Sequence, residues 1–324
     1  MVGQLTRFLS PILNSRTCAP VVSCEWCAAE TFLVGRLFPD RHVISAHPFE
    51  SARRVIRQLP SEMKFFLFHI NGTRTDKFIK DRQLLLDAIQ QRRAVALNAT
   101  ITDISKVSLQ RALLEEGMSS TLASREGDPD EELMIKTDRN CKGDAEALLT
   151  PRQQLRLGYP ALSQLMGSIL AEVQKYPVLR RRDIPSAWWS EPEIVIERYI
   201  CNAEDRFYRV HILRDCLAIT DVVVPGTVKK LSAGVKAAHH YFTYAQMDSG
   251  EVPAPFHGIC RQTRILQRRM AFDFAALDLV LDEAGTCFIV DLNTTPWAGQ
   301  LRLDHPLLSH LRRGLATGEA EGQY

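Results

Sequence analysis

One segment, residues 272–299 (FDFAALDLVLDEAGTCFIVDLNTTPWAG), constrains the fold more than any other because its pattern is typical of a β-hairpin. Leu277–Asp282 and Thr286–Leu292 are short apolar runs of strand-forming residues, and the intervening Glu-Ala-Gly is a turn signal. A two-residue turn at Ala-Gly would place Asp278 directly opposite Asp291. The segment therefore predicts two antiparallel strands with a defined register.

Three hard oxygen donors are predicted to share one face of this hairpin. Asp278 and Asp291 share it because they are opposed, and Asn293 joins them because side chains alternate along a strand. Val290 and Leu292 are expected to point into the packing layer. Two close carboxylates repel each other unless a cation lies between them, and carboxylate and amide oxygens suit Mg²⁺ better than zinc. The pattern indicates a magnesium site, although a polar strand end before a turn would look the same.

The composition indicates a globular protein with more than one lobe. With 324 residues, of which 45% are hydrophobic and 24% charged, the chain can form two or three lobes with their own cores. The net charge of +2 gives no reason to expect a nucleic-acid or membrane partner. No apolar run approaches the roughly 20 residues of a membrane-spanning helix, so we expect a cytoplasmic protein.

The cysteines fit a reducing compartment. Eight cysteines in a chain of 324 residues are too sparse for a disulfide framework. Cys24 and Cys27 form one C-x-x-C with neither a second pair nor a histidine at ligand spacing, so zinc or redox chemistry has little support there.

The N-terminal part predicts a small α/β domain. Met63–Ile70 (MKFFLFHI) is typical of a buried strand that ends at an Asn-Gly turn, and Ala94–Leu97 is a second buried strand. Phe78, Arg82 and Ile89 mark a helix face between them. Strand, helix and strand within about 35 residues predict a parallel βαβ unit, in a domain covering residues 1–103.

The rest of the chain predicts two α+β lobes, residues 104–190 and 191–324, which face each other across a cleft. The first lobe holds helices and a short strand, and the second holds successive antiparallel strands before the hairpin. The predicted elements are a helix from Ser105, a strand Leu133–Ile135, a helix Ala161–Val173, and strands Ile194–Ile200, Phe207–Leu213 and Cys216–Val224.

The hairpin resembles the C-terminal signature of the ATP-grasp superfamily, which includes glutathione synthetase, D-alanine:D-alanine ligase and the ribosomal-protein glutamate ligases. In that family the residues matching Asp278, Asp291 and Asn293 hold the two Mg²⁺ ions on ATP, although the second carboxylate is more often glutamate. The resemblance covers roughly residues 60–300. It implies an ATP-grasp fold preceded by a pre-ATP-grasp domain that helps to bind the acceptor substrate.

The same resemblance assigns the ATP-binding residues. Lys106, within ITDISKVSLQRALLEEG, resembles the first phosphate-binding lysine, and Lys136, within LMIKT, resembles the second. The polar stretch 137–146, which contains Gly143, resembles the flexible loop that covers the phosphates. IVIERYI resembles the strand that pairs with the adenine edge, and its implied nucleotide-binding residues are Glu197, Tyr199 and Ile200.

Arginine placement gives one match and one departure. Arg209 in FYRVHIL shares a face with large apolar residues, so it needs an anionic partner, and the family has an arginine here near the transferring phosphate. His211 has no motif behind it and is expected to be a packed histidine. Several ligases carry an arginine where this chain has Ala276. The candidates to replace it are Arg264, Arg268, Arg269, Lys229 and Lys230.

The predicted function is that of an ATP-dependent carboxylate–amine ligase, with ATP and Mg²⁺ as cofactors and small-molecule or peptide carboxylates and amines as substrates. Mg²⁺ would bridge the β- and γ-phosphates while Lys106, Lys136 and Arg209 neutralise charge as the γ-phosphoryl passes to a carboxylate. Two alternatives stay open. An ATP-grasp kinase would explain Ala276, because a kinase forms no tetrahedral intermediate, and a non-catalytic nucleotide-binding module would need no chemistry at all.

Overall fold

The computed structural model describes residues 21–27, 31–159, 169, 171–202, 205–226, 237–299 and 301–316. The fold is mixed α/β with both parallel and antiparallel sheets, which confirms the predicted class. The predicted helix Ala161–Val173 lies mostly outside the described residues. Lys229 and Lys230 also lie outside them. No helix in the described part of the chain is both long enough and apolar enough to cross a membrane.

The N-terminal sheet is parallel and four-stranded. Its strand order is β2-β1-β4-β6, with helices on its faces. The predicted βαβ unit is present as β4, α3 and β6. The elements are β1 (Val21–Trp26), α1 (Leu33–Leu37), β2 (His42–Ser45), β3 (Glu50–Ser51), α2 (Ala52–Ile56), β4 (Phe65–Ile70), β5 (Ile79–Lys80), α3 (Arg82–Gln91) and β6 (Val95–Leu97). β3 and β5 form a separate parallel pair.

A three-stranded antiparallel sheet follows helix α4 (Lys106–Glu115). Its central strand is β7 (Glu132–Thr137), flanked by β8 (Val178–Arg180) and β9 (Ile194–Arg198). A short helix, α5 (Pro151–Arg156), lies in the connection from β7 to β8. The sequence places β9 with the strands that follow it, but β9 pairs with β7 instead. Hydrophobicity along a strand does not identify its partner, which is why the pattern alone misplaces it.

The C-terminal sheet is antiparallel, with strand order β12-β11-β10-β13-β14. One face of this sheet is the face to which the even-numbered residues of β10, such as Val210 and Ile212, point. This face is buried in the core, where α4 and α7 pack. The odd-numbered face is covered at one end by α8 and is open at the other. The elements are β10 (Arg206–Leu213), β11 (Cys216–Val223), β12 (Ala237–Thr243), α6 (Tyr244–Asp248), α7 (Ala254–Met270), β13 (Phe274–Leu281), β14 (Cys287–Asn293) and α8 (Pro306–Ala316).

The predicted hairpin is β13 and β14, and Asp278 lies opposite Asp291. The turn differs from the prediction, because its loop has three residues and is closed by the Asp282 N–H donating to the Thr286 carbonyl at 3.1 Å. Gly285 has φ +78°, a left-handed conformation that favours glycine. A β-bulge that leaves Val290 unpaired restores the predicted register beyond it. Val290 therefore lines the cavity rather than the core, while Leu292 is buried as predicted.

Asn98 joins the N-terminal and C-terminal sheets. It follows β6 in a left-handed conformation (φ +55°) and is 1% exposed. Its side chain accepts hydrogen bonds from the backbone N–H groups of Asp273 (2.8 Å) and Phe274 (2.9 Å) and donates to the carbonyl of Phe274 (2.8 Å). The backbone N–H of Asn98 donates to the carboxylate of Asp273 at 2.7 Å. Asn98 thus provides hydrogen-bond partners for the backbone N–H and C=O groups at the start of β13.

We expect Asn98→Ala to lower the free energy of unfolding by about 2–4 kcal/mol, because it leaves buried backbone groups unpaired and keeps a β-carbon in a left-handed conformation. Urea denaturation would measure the change. Gln91→Ala, at an exposed position on α3, is the control and should change stability by less than about 0.5 kcal/mol. Equal stability of the two variants would contradict the role given to Asn98.

Candidate functional site

A cavity of about 560 Å³ lies between the three-stranded sheet (β8-β7-β9) and the C-terminal sheet. β7 and the end of β9 line one side, β10, β13 and β14 line the other, and α4 contributes one lysine. Nine of the ten predicted site residues line this cavity: Lys106, Lys136, Glu197, Tyr199, Ile200, Arg209, Asp278, Asp291 and Asn293. Gly143 does not line it, although its neighbours Lys142 and Asp144 do. The roles given to these residues stay predictions.

The open face of the C-terminal sheet carries a row of three charged side chains, one arginine and two aspartates. Arg209 pairs with Asp278 across β10 and β13, and Asp278 pairs with Asp291 across β13 and β14. The Arg209 guanidinium holds both oxygens of Asp278, with Nε–Oδ1 at 2.7 Å and Nη2–Oδ2 at 2.8 Å. Burial would lower the pKa of Arg209, but Asp278 raises it above its ordinary value. This arginine is therefore a permanent cation in the site.

Lys106 places a second cation beside this row. Its ammonium is buried, donates to the carbonyl of Arg139 at 3.1 Å and lies 3.5 Å from the carboxylate of Asp291. Burial acts to lower the pKa of Lys106, but nearby anions, chiefly Asp291, raise it above its ordinary value. Asp278 and Asp291 thus lie side by side, and each has its own cation.

Asn293 is on the same face, opposite Ala276. Its amide oxygen accepts hydrogen bonds from the N–H (2.8 Å) and the hydroxyl (3.1 Å) of Thr295, and its amide nitrogen lies 3.9 Å from the Cys141 sulfur. Among the residues that the structure describes, no group of three or more His, Cys, Asp or Glu side chains could hold a metal. The predicted set has two carboxylates and one amide, so its donors are oxygens and fit Mg²⁺ rather than a softer metal.

The opposite end of the cavity is apolar, with one buried ion pair. Met134, Ile200, Phe207, Val280 and Val290 supply the walls. Lys136 forms an ion pair with Glu197, which is 1% exposed and has one carboxylate oxygen without a hydrogen-bond partner. A largely apolar region with a few polar groups suits an aromatic base.

The structure limits which backbone group of Tyr199 could make the predicted contact with a base. Its backbone N–H already donates to the carbonyl of Glu132 at 3.0 Å. A contact from the Tyr199 backbone to a base edge would therefore come from its carbonyl group, because the N–H is used in joining the end of β9 to β7.

The loop after β7, predicted from the family to be flexible, is held by buried contacts. Asn140 donates its backbone N–H to the hydroxyl of Thr73 at 2.8 Å, and Arg139 pairs with Glu193. Glu146 accepts from the N–H and hydroxyl of Thr73, both at 2.7 Å, and from the hydroxyl of Tyr159 at 3.0 Å. Because Thr73 follows β4, these contacts tie the loop to the N-terminal sheet.

Gly143 has a local structural role within this loop. Its φ is +84°, and a β-carbon there would lie 2.7 Å from Cδ of Arg139. The glycine therefore allows the Arg139 side chain to pass close to the backbone on its way to Glu193.

Several cavity residues are absent from the sequence prediction. They are polar or aromatic side chains on loops, which have no periodicity to mark them. They include Cys141, Lys142, Asp144, Tyr176, Asn202 and Trp297. Trp297 is 47% exposed, an unusual position for tryptophan, but this exposure is seen in the structure and not in the sequence.

Three of the arginines proposed to replace the one absent at Ala276 are among the described residues, and none of them lines the cavity. Arg264 pairs with Asp248 at 2.6 Å and Arg269 pairs with Glu115, both from α7, and neither these residues nor Arg268 line the cavity. His211, opposite Ala276, is packed as predicted, and burial and then Arg209 lower its pKa to about 3.

Comparison with known proteins gives structural neighbours only. No family model matches the chain, and no curated protein matches its sequence. The structure of the ATP-grasp ligase PsnB with a minimal precursor is 11% identical with a TM-score of 0.45, and the match covers 91% of this chain and 99% of that chain. The VanG D-Ala:D-Ser ligase from Enterococcus faecalis is 9% identical with a TM-score of 0.45, covering 92% and 99%. A RimK domain ATP-grasp protein from Sphaerobacter thermophilus is 12% identical with a TM-score of 0.41, covering 91% and 97%.

Proposed function

We propose that this protein is an ATP-dependent carboxylate–amine ligase that acts through an acylphosphate. The observation that carries the proposal is the division of one cavity into an apolar slot and a charged end. At the charged end, the opposed carboxylates of Asp278 and Asp291 lie between Arg209 and Lys106. A nucleoside triphosphate has the same division, with an aromatic base at one end and phosphates that need cations and Mg²⁺ at the other.

The chain's own residues account for binding and orientation. The base would enter the slot beside Glu197, and Lys106, Lys136 and Arg209 would contact the phosphates. Asp278, Asp291 and the amide oxygen of Asn293 would hold Mg²⁺, which supplies charge neutralisation between the β- and γ-phosphates when it is bound. Arg209 and Lys106 would then leave their carboxylates, because the metal takes their place.

The proposed reaction has two steps. A carboxylate oxygen of the acid substrate bonds to the γ-phosphorus as the bond from that phosphorus to the β–γ bridging oxygen breaks, and ADP leaves with the electron pair. The nitrogen of the amine substrate then bonds to the carbonyl carbon of the acylphosphate, phosphate leaves, and the amine proton passes to the departing phosphate. Neither step needs a side-chain nucleophile, so an arginine or lysine that stabilises charge is sufficient.

The ligase and kinase candidates differ in a trappable intermediate. An acylphosphate is an electrophile that hydroxylamine intercepts, whereas a phosphorylated hydroxyl does not react with it. A panel of carboxylic acids, screened with ATP, Mg²⁺ and hydroxylamine, should give ADP, phosphate and a hydroxamate in equal amounts. A stable phosphorylated product without hydroxamate would favour the kinase, and AMP with pyrophosphate would contradict both.

Asp291→Asn should lower ATP turnover by at least about 100-fold, because an amide is a poorer Mg²⁺ ligand than a carboxylate. The side chain keeps its shape, so thermal unfolding should show a folded protein. Asp248→Asn, which removes an exposed carboxylate paired with Arg264 outside the cavity, is the matched control and should keep full turnover. Full turnover in Asp291→Asn would show that Asp291 is not a metal ligand.

Arg209→Met should have opposite effects on two ligands. Without Arg209, Asp278 has no bidentate partner to displace, so Mn²⁺ binding in the absence of nucleotide should tighten by about tenfold. Binding of MgATP should weaken by a similar factor, about tenfold, because a phosphate contact is lost. Electron paramagnetic resonance of Mn²⁺ and calorimetry of MgATP would measure the two changes.

Arg206→Met is the control for this prediction, because Arg206 is on the same strand and pairs with Asp221 at 2.8 Å without lining the cavity. Weaker binding of both ligands in Arg209→Met would indicate that Arg209 only supports the fold.

A further inference from the structure

Five cationic side chains line the cavity, and four of them are ion-paired. Lys106 pairs with Asp291 (3.5 Å), Lys136 with Glu197, Arg198 with Glu131 (3.1 Å) and Arg209 with Asp278 (2.7 Å). Lys142 is the fifth, and it forms no ion pair within the part of the chain that the structure describes. Asp144, two residues away, also lines the cavity without pairing with it.

The backbone of Lys142 is fixed at the charged end of the cavity. Gln174 donates its side-chain amide to the carbonyl of Lys142 at 3.3 Å, and the flanking loop is held by Asn140 and Glu146. The preceding residue, Cys141, has its sulfur 3.9 Å from the amide nitrogen of Asn293. Lys142 therefore belongs to the same end of the cavity as the opposed carboxylates, away from the apolar slot.

The side chain of Lys142 lies over an aromatic ring. Its ammonium is 5.2 Å from the centre of the Tyr176 ring, which also lines the cavity. A ring face attracts a cation without neutralising its charge. The four paired cations need release from a carboxylate before they can bind a new anion fully, whereas Lys142 needs none.

We propose that Lys142 binds the terminal phosphate of the nucleoside triphosphate and supplies the positive charge that this chain lacks at Ala276. This inference rests on the proposed function, because it takes the ligand to be a nucleotide. A compact, mobile ammonium on a fixed loop suits a phosphate that is transferred, since it can follow the charge as the phosphoryl group moves. Lys142 would then contribute to binding of the triphosphate and little to binding of the diphosphate.

The test compares affinities for two nucleotides. Calorimetry with Mg²⁺ and either a non-hydrolysable ATP analogue or ADP would be run on the full chain, on Lys142→Met and on Lys142→Arg. Lys142→Met should bind the ATP analogue about tenfold more weakly and ADP less than about threefold more weakly, because one charge-assisted contact to the terminal phosphate is lost. Lys142→Arg should keep most of the preference for the triphosphate.

Lys175→Met is the matched control, since Lys175 is 68% exposed, pairs with Glu172 outside the cavity and should change neither affinity. Equal loss for both nucleotides in Lys142→Met, or no loss for either, would overturn the role of Lys142 and leave the proposed function standing. Failure of the unaltered chain to bind either nucleotide would overturn both proposals.

Discussion

Pairing of buried or half-buried charges across strands is the constraint on which the site depends. Arg209 with Asp278, Lys106 with Asp291, and Lys136 with Glu197 each join two elements that meet at the cavity. A charge removed from water costs several kcal/mol unless it is paired, so each partner lowers the cost of burying the other. The same pairs keep the site ordered and neutral before a ligand enters. Under the proposed function, ligand binding would proceed by exchange of partners, with phosphates replacing carboxylates beside the cations and Mg²⁺ replacing the cations beside the carboxylates.

The sequence predicts the centre of the site well because it depends on local pairing. Asp278 faces Asp291 as the hairpin pattern indicates, yet the turn has one residue more than expected and the Val290 bulge compensates for it. Turn length and bulges respond to twist and packing, which a hydrophobic pattern does not record. The register is nevertheless preserved, because a slip by one residue would turn Leu292 out of the core.

Contacts between distant segments could not be predicted. Two such contacts are the pairing of β9 with β7 and the hydrogen bond from the Thr73 hydroxyl to Glu146. Each joins residues far apart in sequence, and no motif marks either contact. The family resemblance implies that the loop containing Gly143 is flexible, but its buried hydrogen bonds join residues far apart in sequence, which the local sequence does not show. The sequence does not mark Lys142 for a related reason. One lysine among 40 basic residues becomes informative only when the partners of its neighbours are known.

The position of the cavity follows from helix packing as much as from the motifs. α8 covers the odd-numbered face of the C-terminal sheet at Leu213 and Phe274, and Gly314 allows it to approach because a β-carbon there would meet the carbonyl of Leu213. Next along β10 comes His211, whose low pKa of about 3 keeps it neutral, so it does not repel Arg209. The uncovered end of the face then begins at the row of Arg209, Asp278 and Asp291. The charged row thus lies just beyond the part of that face that α8 covers. A substitution that moved α8 along the sheet would close the site without altering any residue in it.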